Sequence, residues 1–223
     1  MRQQSYAVER PVESVLATNK LIRNTYTLLS ITLMFSALTA GLSMMFNLPF
    51  MSPLLTLGGY FGLLFVTTKL RNSAWGLVSI FALTGFMGLT LGPIISLYIT
   101  QFSNGTELVM LALGGTGAIF LGLSGYALTT RKDFSFMAGF IMVGILVAFL
   151  AGIGALIFQI PALSLAVSAM FIMLMSGFIL YQTSNMVHGH ETNYIMATIS
   201  LYITIYNLFT SLLHLLGAFG GER

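Results

Sequence analysis

Five long stretches of the chain carry no Asp, Glu, Lys or Arg, and their lengths dictate an architecture. They run for 45 positions from Asn24 to Thr68, 35 from Asn72 to Thr106, 23 from Leu108 to Thr130, 57 from Phe134 to His190 and 30 from Thr192 to Gly221. Apolar side chains follow one another in them without the alternation of a barrel strand, so backbone amides must be satisfied within each segment, as in an α-helix. A helix crossing the hydrocarbon layer needs about 20 residues. The two longest stretches therefore hold two spans each and the others one, which makes seven. Each double stretch needs an uncharged turn, and Asn47-Leu48-Pro49 with Pro53 and Gln159-Ile160-Pro161 supply them. The expected spans are about 25–47, 52–68, 74–100, 107–129, 136–158, 161–182 and 194–219.

Composition agrees that the solvent is lipid. Of 223 residues, 57% are hydrophobic and 7% charged, against about a quarter charged in a soluble domain. The fold class is thus an all-α membrane protein. Placing the N-terminus in the cytoplasm puts Arg2, Arg10, Lys20, Arg23, Lys69, Arg71, Arg131 and Lys132 inside and leaves Arg223 outside, as the positive-inside rule requires. Residues 1–19 are polar, with Glu9, Arg10, Pro11 and Glu13, and lack the apolar core of a secretory leader. They are expected to form a flexible cytoplasmic tail, and residues 20–223 a single transmembrane domain whose first span doubles as insertion signal. With no cysteine, disulfides and thiolate metal sites are excluded.

Candidate chemistry is sparse. Gly114, Gly115, Gly117 and Gly122 in the fourth span, and Gly139 and Gly144 in the fifth, are expected to mark close helix contacts. Pro93, after Gly92, predicts a kink in the third. In the last span Ser200, Thr204, Asn207, Ser211 and His214 recur at spacings of four, three, four and three, which puts them on one helical face. Such a stripe belongs inside a bundle or against a wet cavity, so the last helix is expected to be the most enclosed, with its Ser and Thr hydroxyls bonded to neighbouring helices. His214, about 30 Å along the helix from Tyr194, is placed as a solvated anchor near the outer interface.

Enzyme and receptor readings fail on geometry. Gly122-Leu123-Ser124-Gly125 matches the motif around the serine of rhomboid-type proteases. Ser124 falls near the inner end of span four, however, and His214 near the outer end of span seven, far beyond the roughly 3 Å that a nucleophile and its base need. A retinal Schiff base needs a lysine in the last helix, and none follows Lys132. His188, His190 and Glu191 read as a polar loop at the headgroups rather than a metal site. No cofactor, metal or nucleic-acid partner is expected. Leu57-Gly58-Gly59 before Thr67-Thr68-Lys69 echoes Leu113-Gly114-Gly115 before Thr129-Thr130-Arg131, but the spacings differ and no repeat is assigned.

Several blocks are more specific than hydrophobicity. Leu21-Ile22-Arg23-Asn24-Thr25-Tyr26, the run from Leu128 to Phe136, and His188-Gly189-His190-Glu191-Thr192-Asn193-Tyr194-Ile195 followed by Ser200-Leu201-Tyr202 and Tyr206-Asn207-Leu208-Phe209 resemble the Bax inhibitor-1 family. The resemblance runs from about Asn19 to Gly217, and implies six helices surrounding a central C-terminal one. It also implies two functions. Some members resemble calcium or proton leak pathways gated by paired aspartates, whose positions fall here on Gln182 and Thr204, with Lys69 or Arg71 nearest to their basic partner. Neither Gln nor Thr ionises, and two carboxylates are what make such a pair a pH sensor. A bacterial inner-membrane branch implies binding to the ATP-dependent protease FtsH, with the tail as handle and the packed bundle resisting extraction. FtsH and membrane lipids are therefore the expected partners. A solute transporter is disfavoured by the lack of a repeat or of a charged midplane site.

Reporter fusions are expected to read inside after Lys69 and Arg131 and outside after Asn104 and Arg223. An inside reading at Arg223 excludes an odd number of spans.

Overall fold

All seven expected spans form helices. The computed structural model describes residues 12–221, with α1 Val12–Met45, α2 Pro53–Leu70, α3 Trp75–Gln101, α4 Gly105–Thr130, α5 Ala138–Phe158, α6 Pro161–His188 and α7 Tyr194–Gly220. A 3-10 turn, Ser135–Met137, leads into α5. Each helix is long and apolar enough to cross a membrane.

The turns follow local chemistry. Asn47 (φ 49°) reverses the chain after α1, and Ser52 caps α2 by accepting from the Leu55 amide at 3.3 Å, with Pro53 at the first helical position. Gln159 (φ 52°) ends α5 before Pro161 opens α6. Asn193 caps α7, its side-chain oxygen accepting from Ile195 and Met196 amides at 3.0 Å each. Two boundaries differ from expectation. α6 runs on to His188, where Gly189 (φ 76°) provides the left-handed stop. α1 begins at Val12, so Val12 to Asn19, expected as tail, are helical. The preceding residues of that tail, and Arg223, lie outside the described residues.

The bundle is built on two seams. Along the first, α3 lies against α1. A Cβ on Gly88 would meet Thr39 and the Ser36 carbonyl, and one on Gly92 would meet Ser43, so glycine is what permits this approach. Pro93 lies one residue beyond. Its missing amide hydrogen would have bonded the Leu89 carbonyl, and Ser43 of α1 donates its hydroxyl to that carbonyl instead, at 2.9 Å. Along the second seam, α7 packs on α6, α4, α1 and α3. α2 leans on α3 and α5 on α6, completing the six helices around α7.

One expectation holds and one is corrected. α7 is the most enclosed helix, with 12 of its 27 residues buried and three exposed, against 10 of 27 buried and six exposed for α3. The reason is that α7 is packed by α6, α4, α1 and α3, even though one face looks into a cavity. The glycines chosen as contact points mostly make none. Nothing lies within 4 Å of a Cβ on Gly114, Gly117, Gly122 or Gly139; Gly115 would gain ordinary contact with Leu212, and Gly144 alone is tight, against Leu174. Gly59, Gly85, Gly88 and Gly92 hold the close approaches instead, since crossing geometry rather than glycine density decides which face is used.

Gly88→Ala is expected to destabilise the bundle by about 1–3 kcal/mol through overpacking. Gly114→Ala should be neutral or stabilise by up to about 1 kcal/mol through helix propensity. Thermal unfolding in detergent compares them, and equal effects would refute the seam.

Candidate functional site

α2 and α5 face α7 across a cavity of about 710 Å³. Its floor is the N-terminal half of α7, with Met196, Ile199 and Ile203 beside Ser200, Thr204 and Asn207. The walls are Tyr60, Leu64 and Thr68 of α2, Met87 and Thr90 of α3, Ile145 and Phe149 of α5, and Met175 and Phe178 of α6. No acidic, basic or imidazole side chain lines it.

Three of the five stripe residues therefore line one cavity, and their hydrogen bonds are not those expected. The Thr204 hydroxyl donates to the Ser200 carbonyl at 2.6 Å and the Asn207 amide to the Ile203 carbonyl at 2.8 Å, both within α7. A short side chain facing open space finds its own preceding turn before it finds another helix. Ser211 is buried. His214 is half-buried rather than a solvated anchor, with Nδ1 2.8 Å from the Ser168 hydroxyl of α6.

Tyrosines outside the stripe do the bridging. The Tyr202 hydroxyl accepts from Ser36 of α1 at 2.6 Å and donates to the Thr84 carbonyl of α3 at 3.2 Å. Tyr206 donates to Thr90 of α3 at 3.1 Å. Near the other end, Tyr26 of α1 and Ser124 of α4 are 2.5 Å apart, and Ser124 is 3.1 Å from Thr183 of α6. The available signal was position, and it held for Tyr202 and Tyr206, which fall inside the last span, away from the interfaces where tyrosine is usually enriched. Tyr26, by contrast, sits at the edge of the first expected span.

The other candidates separate. Gln182 is buried, 5% exposed, yet lies outside the cavity lining and makes no hydrogen bond to Thr204, whose hydroxyl is committed to Ser200. Lys69 and Arg71 are exposed at the end of α2, with Lys69 Nζ 5.5 Å from the Phe65 ring centre. Ser124 and His214 bond to Thr183 and Ser168 of α6, which stand roughly 22 Å apart along that helix at about 1.5 Å per residue. His188 belongs to α6 rather than to a loop, and its Nδ1 donates to the Ser184 carbonyl at 2.9 Å. Among the described residues no three His, Asp or Glu side chains gather as metal ligands.

The turns after α2, α4 and α6 meet at one end of the bundle. Asn193 donates to the Arg71 carbonyl at 3.0 Å and to Asn72 Oδ1 at 2.9 Å. Ser184 donates to the Lys132 carbonyl at 3.2 Å and accepts from the Phe134 amide at 3.0 Å. Lys69, Arg71, Arg131 and Lys132 thereby share one face. Beside them the Ser135 amide, donated to Asp133 at 2.8 Å, holds that carboxyl below its usual range, with His188 and His190 acting in the same direction.

A family model described as inhibitor of apoptosis-promoting Bax1 matches residues 18–221. The chain is similar to the modulator of FtsH protease YccA of Escherichia coli, 50% identical over 204 residues, covering 92% of both chains. It is similar also to an uncharacterized protein of Pseudomonas aeruginosa, 51% identical over 222 residues and the full length of both. An uncharacterized membrane protein of Vibrio cholerae is 44% identical over 207 residues, 92% of each chain.

With no carboxylate lining the cavity, the unmodified chain in vesicles is expected to pass calcium within roughly twofold of protein-free vesicles between about pH 6 and about pH 8. Gln182→Asp combined with Thr204→Asp is the variant expected to create a pH-dependent leak. Robust pH-gated flux through the unmodified chain would overturn this.

Proposed function

The chain belongs to the family of inhibitors of apoptosis-promoting Bax1, and from that membership we propose that it modulates the membrane-bound ATP-dependent protease FtsH as a slow substrate and competitor. One observation carries the reading: half of its residues are identical to those of a modulator of FtsH protease, over 92% of both chains. We place it in the bacterial inner membrane, N-terminus cytoplasmic and C-terminus periplasmic, with the basic turns on the side of the protease's ATP-driven machinery.

The mechanism needs no catalytic residue. A protease that pulls its substrates must unfold them, and the operational resistance of a bundle is the barrier to that unfolding. Pulling from the N-terminus would load α1 first. That helix is joined to α3 through Ser43 and to α7 through Ser36, and both contacts lie in the interior, where water cannot replace the lost hydrogen bonds. Occupying FtsH with a chain so slow to extract spares other membrane substrates. The leak-pathway alternative lacks ionisable groups at Gln182 and Thr204, and no carboxylate in the cavity offsets ion desolvation.

Deleting Arg2 to Arg10, ahead of α1, tests the handle. The shortened chain should still copurify with FtsH, be degraded at least about threefold more slowly, and prolong the life of other FtsH membrane substrates. Unchanged degradation of both would sink the handle, and failure of the full chain to copurify with FtsH would sink the partner.

A further inference from the structure

The cavity beneath α2 and α5 has the length, volume and lining of a lipid-tail site. Its lining residues extend from Met196 to Asn207 on α7 and from Thr56 to Thr68 on α2, roughly 16 to 18 Å at about 1.5 Å per residue. That is about half the ~30 Å hydrocarbon thickness, the depth of one leaflet. We propose that it takes one acyl chain of an anionic phospholipid, drawn from the leaflet at the α2–α3 end, with the phosphate held by Lys69 and Arg71.

Volume selects the chain over a protein helix. A methylene occupies about the ~30 Å³ of a liquid water molecule, so a tail of about sixteen carbons is accommodated within about 710 Å³. A partner helix ~10 Å across and ~16 Å long needs roughly 1,250 Å³. Chemistry selects it over water. The walls are chiefly aliphatic, aromatic and methionine side chains, and Met142, Met175 and Met196 can adapt to a flexible chain. Thr204 and Asn207 already bond their own helix, and a water needs two to four polar partners to be held.

Charge places the head group. Thr68 is the last α2 residue lining the cavity, and Arg71 follows one turn later on the same helical face. Lys69 stands beside it over Phe65. Both cations are exposed, no ion pair engages them among the described residues, and the helix end on which they sit is fixed by the Asn193 bond to the Arg71 carbonyl.

The test uses the purified full chain in nanodiscs containing phosphatidylglycerol with a photoactivatable group near the tail terminus, and maps cross-links by mass spectrometry. Labelling is expected at Met175 and Ile203, falling by about fivefold in Ile145→Trp and in Ile203→Trp, two independent fillings checked for unchanged thermal unfolding. Lys69→Gln and Arg71→Gln should each lower the preference over phosphatidylcholine by about fivefold, the weight of one basic residue near an anionic surface. Labelling confined to outward-facing residues such as Phe140 and Leu156, or unchanged by both fillings, would overturn the tail site and leave a hydrated cavity. Equal labelling by both lipids would overturn the head-group assignment.

Discussion

Hydrocarbon supplies no hydrogen-bond partner, so every polar group placed in the membrane must find one within the protein. The Leu89 carbonyl shows the consequence. Pro93 removes the amide that would have met it, and the group is rescued by Ser43 from a different helix. The rescue requires α1 and α3 to lie close, which Gly88 and Gly92 permit by presenting no side chain at the crossing. One proline, one serine and two glycines thus form a single device that sets the first seam. Tyr202 plays the matching part at the centre, satisfying its hydroxyl on α1 and α3 together and so fixing α7 against both.

The same constraint distinguishes the two sides of α7. Where helices press upon it, polar groups reach across, as Tyr202, Thr198 and His214 do, and at the cavity's edge Tyr206 bridges to Thr90 of α3. Where α2 and α5 stand back, polar side chains fold onto their own backbone and the space between is apolar. A path for ions would need the opposite arrangement, with unpaired oxygens or carboxylates turned into the opening. An extended hydrocarbon chain needs what is found there. The cavity and the proposed protease contact make independent demands on the molecule: the first concerns a gap between peripheral helices, the second the cohesion of α1 with the bundle.

Much of the architecture was legible because the membrane makes the code simple. Seven spans, both uncharged turns and the clustering of basic turns at one end follow from charge spacing and proline positions, since charge and unbonded backbone carry the largest costs in lipid. The beginning of α1 was not legible. Val12 to Asn19 are polar enough to read as tail, yet they continue a helix already nucleated by the apolar residues behind them, where each added residue needs no new nucleus.

The sequence by itself determined that α7 carries a polar face and that Gln182 and Thr204 cannot titrate, because side-chain identity and helical period are local properties. Which groups that face would meet was decided by tertiary structure. Stripe residues expected to bind neighbouring helices line a cavity, the bridging fell to tyrosines, and open glycines on α4 lost the close approach to those on α3. Each depends on where a second helix lies and at what angle it crosses, and the spacing of residues along one helix carries no record of its distance from another.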